Sequence, residues 1–227
     1  MSERSTVAGG AGLESAPPSP AYFPICFEPP FSLVHEPELW VLAAGERDTW
    51  GGATVAWSED DDWYAENAEG EIGPLAVVGT LDSHVSILST WEGVHVELPF
   101  RGRLRSGDAG SLGRQQTLCY LGNSFGTRYE LLCYSEARLV GLRDESHIYR
   151  FDGAVRRGCY GTAIQPFAPG TRFARLDAQV ARIALPTRLV EARATLRLRI
   201  VSENGDEAIE EPEDVEPLSY TIQGIWK

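Results

Sequence analysis

Residues 193–201 alternate with strict regularity. Ala194, Leu196, Leu198 and Ile200 take every second position, and Arg193, Arg197 and Arg199 fall between them. Successive side chains of an extended chain point to opposite faces, so a period of two makes a strand with one buried face and one wet face. Wound as a helix, the same run would scatter its arginines around every side and bury none of its leucines cleanly. Helical periodicity is poor throughout the chain, with at most a turn or two expected within 82–90.

Shorter runs repeat the strand signal along the chain. Residues 38–44 are continuously apolar after Glu38. Residues 50–58 carry Gly51-Gly52 at their head, with Val55 and Trp57 on one face. Glu59-Asp60-Asp61-Asp62 reads as a turn, and Trp63-Tyr64 as the start of a hairpin's return strand. Further strands are expected within 72–81, broken by Gly79, and over 94–98, where His95 and Glu97 oppose Val94, Val96 and Leu98. Others are expected at 130–134, 137–140, 147–151, 172–177, 180–185 and 218–226, and 102–117 reads as a glycine- and serine-rich loop. Short strands recurring about every ten residues predict an all-β fold, a sandwich or barrel of many short antiparallel strands.

The composition divides the chain further. Residues 1–37 are rich in proline and small residues and read as an extended or disordered arm, of the kind that straps a neighbouring domain or subunit. A small β domain with the W-G-G hairpin is expected over 38–90, and a barrel or sandwich domain over 91–202. Residues 203–227 read as an acidic linker and final strand. A chain of 227 residues can bury a sizeable core, and 43% hydrophobic with 23% charged residues is ordinary for a globular protein. A net charge of −13 argues against direct nucleic-acid binding, which needs a basic face. The charge is uneven, however: 101–105 (RGRLR) and 193–199 (RATLRLR) are basic, and 203–216 is acidic. No apolar run reaches the roughly 18 residues of a membrane span. The first twenty residues lack the features of a secretory signal. Cys26, Cys119, Cys133 and Cys159 form no C-x-x-C pair, so they are expected to be reduced and buried, without a metal or other cofactor.

Four features bear on chemistry. The acidic run 59–62 could hold calcium or supply paired carboxylates, but it lacks the EF-hand pattern and reads better as a solvated hairpin tip. His35, His84, His95 and His147 are isolated, and no catalytic set can be assembled from local spacing. Trp40, Trp50, Trp57, Trp63, Tyr64 and Trp91 crowd into 40–91. They could stack on sugars, with Trp57, Trp63, Asp60 and Asp62 as glycan contacts, but the alternation of Val55 and Trp57 favours a core role. Finally, Arg157-Gly158-Cys159-Tyr160-Gly161-Thr162 places two glycines three apart. A phosphate-binding loop would need Lys-Ser/Thr and a following helix, which Pro166 and Pro169 oppose, so a packed structural turn is expected.

These segments together resemble a known family. Trp50 to Ser58, followed by Asp61-Asp62-Trp63-Tyr64, is similar to the W-G-G-a-x-V-x-x-S-x-D-G-x-x-Y segment of phage tail-tip proteins. These are the baseplate-hub or host-specificity proteins of long-tailed phages and gene transfer agents. Leu104 and Ser106 resemble the family's g-x-L-x-S step, and Glu130-Leu131-Leu132-Cys133-Tyr134 with Ala137 and Leu139 its E-l-l-x-y-x-x-A-x-L. Tyr149 then precedes Arg157, Gly158, Gly161 and Thr162, which resemble the family's R-G-x-x-G-T. Gly170, Phe173, Leu176 and Asp177 match the following G-x-x-F-x-x-L-D. Asp62 stands where the family usually has glycine, so a different hairpin tip is expected. The resemblance spans roughly 38–201 and implies Trp50, Gly51, Gly52, Tyr64, Arg157, Gly158, Gly161 and Thr162 as structural motif residues. It implies a non-enzymatic tail-tip component located in the virion. Its expected partners are other tail or baseplate proteins, copies of itself in a ring or hub, and a host surface glycan.

Overall fold

The computed structural model describes residues 22–46, 49–58, 67–86, 93–99, 102–108, 110–202 and 217–225. Its strands are β1 (Tyr22–Phe27), β2 (Glu38–Ala44), β3 (Trp50–Ser58), β4 (Asn67–Ile72), β5 (Val78–Leu81), β6 (His95–Leu98) and β7 (Leu118–Gly122). They continue with β8 (Tyr129–Arg143), β9 (Ser146–Arg156), β10 (Arg172–Arg175), β11 (Ala181–Ala184), β12 (Arg193–Ser202) and β13 (Leu218–Thr221). Two single-turn helices, α1 (Phe31–Val34) and α2 (Ser111–Arg114), sit in the connections. The fold is all-β.

Strand β2 explains the architecture. Leu39, Val41 and Ala43 face one core, with Cys26, Trp50, Val55, Trp57, Ile183 and Leu196 among its members. Trp40, Leu42 and Ala44 face another, with Ile25, Phe27, Val78, Tyr120, Leu131 and Ala174. A strand covered on both faces has no wet positions, which is why 39–44 reads as a continuous apolar run rather than an alternation. The sheet β1-β2-β11 is therefore the middle layer of three. On one side lies the sheet β13-β12-β3-β4, and on the other the outer wall of a closed six-stranded barrel, β10-β5-β6-β9-β8-β7.

The barrel has a core of its own. Leu81, Val96, Leu98, Cys119, Leu121, Leu132, Tyr134, Phe151 and Phe173 fill its interior. Their sequence neighbours Leu118, Tyr120, Leu131, Cys133 and Ala174 face outward onto the middle sheet. Alternation thus survives in these strands, but both sets are apolar because both faces are covered. Closure removes the open edges that a free sheet would expose.

Several sequence expectations are corrected. The sheets do not divide near residue 90. β12 pairs with β3 (Leu196 opposite Trp57), β11 pairs with β2 (Ile183 opposite Leu39), and β5 belongs to the barrel. The barrel strands run consecutively from Val78 to Arg175 and interrupt two sheets built from both ends of the chain. The described part of the 1–37 segment is not a surface strap, because β1 pairs with β2 and Ile25, Cys26 and Phe27 are buried. The segments 130–134 and 137–140 are one strand, β8, which forms a long hairpin with β9. β7 was missed, and the last strand ends at Thr221. Residues 82–86 form no helix but hold an isolated bridge from Val85 to Phe167. Over 193–201, Ala194, Leu196 and Leu198 are buried as expected.

Burial also sets an alkaline limit. All four cysteines are free and buried, and loss of hydration pushes the Cys26 and Cys119 thiols from 9.0 up to about 12. Burial likewise raises Tyr120, Tyr129, Tyr134 and Tyr220. Above about pH 9 the unfolded chain releases thiol protons that the folded chain keeps. The linked stability is therefore complete below that pH and is lost as pH rises toward the folded values. Urea unfolding should show stability falling between about pH 9 and pH 11, less steeply in a Cys26→Ala/Cys119→Ala variant. An unchanged slope in that variant would count against this origin.

Candidate functional site

The R-G-C-Y-G-T segment leaves β9 as a tight turn with three left-handed residues, Gly158 (φ 63°), Tyr160 (φ 55°) and Gly161 (φ 77°). Glycine takes such angles without a Cβ clash, which accounts for two of the three. The turn folds back on the start of β8. The Thr162 hydroxyl accepts the Leu131 N–H at 2.9 Å and donates to the Cys159 carbonyl at 3.0 Å. In α1, the Ser32 hydroxyl donates to the Tyr160 carbonyl at 3.0 Å.

Arg157 fixes this geometry from inside. Its Nε donates to Glu130 Oε1 at 2.9 Å and one Nη to Oε2 at 2.6 Å, a bidentate pair with side chains 8% and 0% exposed. The remaining capacity of both partners is used as well. Glu130 accepts the Gly158 and Gln165 N–H groups at 3.1 and 3.2 Å. Arg157 donates to the Ser86 and Gln165 carbonyls at 2.8 and 2.6 Å. A buried charge is costly unless it is paired or its hydrogen-bonding capacity is filled, and this pair meets both conditions. The junction thereby ties β8, the turn after β9, the chain at Ser86 and the approach to β10 into one unit. Its chemistry is structural: the carboxylate is saturated with donors and sheltered from water.

The W-G-G head of β3 is likewise determined by packing. Gly52 has φ 113°, and a Cβ there would overlap the Ile72 carbonyl of β4. A Cβ on Gly51 would overlap the Ser202 carbonyl of β12. Trp50 and Trp57 are each 4% exposed, and neither indole N–H has a hydrogen-bond partner among the described residues. Trp57 as a glycan contact is therefore corrected: its ring is enclosed between sheets and offers no face for stacking. Trp40 is also buried. Tyr64, Trp63, Trp91 and the acidic run with Asp60 and Asp62 lie outside the described residues, as does any calcium at 59–62.

Among the described residues, no three His, Cys, Asp or Glu side chains could share a metal ion, and no helix is long and apolar enough to cross a membrane. His147 Nδ1 lies 3.0 Å from the Gly102 carbonyl and His95 Nδ1 3.5 Å from the Ser83 hydroxyl, at separate places on the barrel.

Sequence reasoning missed Glu28. It is 1% exposed just after β1 and accepts from the Tyr220 hydroxyl at 3.0 Å, the Gly224 N–H at 2.8 Å, and the Gln223 and Ile225 N–H groups. Its backbone carbonyl accepts the Tyr129 hydroxyl at 2.9 Å. A carboxylate between Phe27 and Pro29 gave no local sign of a partner almost two hundred residues away. Glu130 opens an apolar strand as Glu38 does, and nothing local distinguishes the acid that is buried against an arginine from the one that is not.

No protein-family model matches the chain, and no curated protein matches it either.

Proposed function

We propose that this chain is a non-enzymatic structural component of a phage or phage-derived tail tip or baseplate hub, assembled in the bacterial host cytoplasm and carried in the virion. It acts in tail assembly and host attachment, with other tail proteins and copies of itself as partners. One observation chiefly supports this reading. The segments that resemble the tail-tip family, E-L-L-C-Y and R-G-C-Y-G-T, are bonded to each other through Glu130 and Arg157, so their order in the chain reflects a shared fold element. The buried Trp40, Trp50 and Trp57 favour this reading over a glycan-binding module, which would need such rings on its surface. Tail rings are cyclic assemblies with heterologous contacts.

Light scattering on the chain, alone and mixed with the products of adjacent genes, tests the proposal. The expected result is a defined oligomer or a stoichiometric complex with a neighbour. A monomer indifferent to every neighbour would overturn it and make a glycan screen the next step.

A further inference from the structure

The described residues of the basic run 101–105 take no part in the junction at Glu130, and the fold gives them a definite setting. Leu104 is buried in the barrel core, and the exposed Arg103 and Arg105 flank it. Hydrogen bonds to the β8–β9 hairpin hold the backbone that carries them. The Tyr134 hydroxyl donates to the Arg105 carbonyl at 2.8 Å, and the Gly107 N–H to the Ser135 carbonyl at 2.8 Å. The Ser106 hydroxyl both accepts from the Ala137 N–H and donates to its carbonyl.

Arg103 and Arg105 line a cleft of about 460 Å³ together with Arg175 and the apolar Trp50, Leu75 and Val77. Three arginines meet one acid in this lining, Asp177, whose Oδ1 accepts the Gln179 N–H. Arg175 donates to the Leu118 and Gln116 carbonyls, so its charge is held in place without being neutralised. Neither Arg103 nor Arg105 has an ion-pair partner among the described residues. The chain has 33 acidic residues against 20 basic ones, so this local excess of positive charge runs against its average.

We propose that this cleft binds an oxyanion carried on an apolar group. Guanidinium groups present donors in a fork that matches a carboxylate or a phosphate monoester, and the apolar lining accepts the rest of the ligand. The volume fits a small molecule or one side chain of a partner, since ligand pockets run from about 300 to 1,000 Å³. Because the backbone under Arg103 and Arg105 is already fixed, little ordering entropy is lost on binding. The proposal stands independently of the tail-tip reading.

The test is an NMR titration of the full-length chain with phenyl phosphate, with N-acetyl-Phe-Glu-amide, and with uncharged benzyl alcohol. Saturable shifts at the Trp50 indole and at Leu75, Arg103 and Arg105 are expected with the two anionic probes and none with the alcohol. The tighter of the two anions identifies the source, a free small molecule or a peptide-borne acid. Affinity should fall about tenfold in Arg103→Gln/Arg105→Gln, the loss of roughly one charge-assisted bond, and should also fall with added salt. Both arginines are exposed, so the variant's spectrum should retain the native dispersion. Absence of saturable shifts, equal binding of the alcohol, or unchanged affinity in the variant would each overturn the proposal.

Discussion

Arg157→Leu should cost about 3–5 kcal/mol of folding stability, the range for removing one partner of a buried, hydrogen-bonded ion pair. Most of that loss comes from the group left behind. Glu130 is wholly buried, and without the guanidinium its charge rests on the Gly158 and Gln165 amides alone. Glu130→Leu should cost a similar amount, because it strands the arginine and frees those two amides. The double variant should lose clearly less than the sum, since neither charge is then unmatched. Denaturant unfolding of the four proteins measures the coupling. Additive losses, or single losses under about 1 kcal/mol, would mean that the pair is not the closed unit described, because an exposed ion pair contributes no more than that.

Glu28→Ala should have an effect of comparable size, at least about 3 kcal/mol, but concentrated at one end of the molecule. Bonds to a charged acceptor contribute about 1.5–3 kcal/mol each, and this carboxylate serves one hydroxyl and three backbone amides. Glu28→Gln should fall between wild type and alanine, because it keeps an acceptor oxygen but puts donors where the other oxygen received amides. Hydrogen exchange gives the location. Amides of β13 and of Gln223, Gly224 and Ile225 should lose protection while the barrel strands keep theirs. Uniform loss across the chain would show that Glu28 acts on global stability and not as a clasp for the C-terminal strand.

What could be read beforehand follows from how local each cause is. Strands β2, β3, β6 and β12 were legible because alternation or an unbroken apolar run is written within a few residues. The all-β class followed from them. β7 was not legible: Leu118-Cys119-Tyr120-Leu121 is short and follows a polar loop, and its two faces are covered by the barrel interior and the middle sheet, which nothing local announces. Domain limits failed for a related reason. Nothing local to 50–58 or 193–202 says that those two strands are neighbours. At the site, the glycines and Arg157 were legible as a packed turn, whereas the partners of Arg157 and the whole setting of Glu28 depend on long-range contacts. Trp57 could be placed by its alternation with Val55, and that bland indication outweighed the appeal of an aromatic cluster as a sugar platform.

The insertion of the barrel's sequence between the strands of the other two sheets separates the order of synthesis from the order of assembly. Every strand of the barrel lies between Val78 and Arg175, so it can close from one uninterrupted stretch as soon as that stretch is available. Strands β2 and β3 are made earlier but wait longer. β3 lacks the neighbour that covers one of its edges until Ser202 has been made, and β2 lacks β11 until Ala184 has. During that interval the chain carries a nascent barrel alongside two apolar strands with open edges, the kind of intermediate on which aggregation and strand exchange act. High contact order in the two sheets outside the barrel is thus the kinetic counterpart of a fold that pairs early strands with late ones.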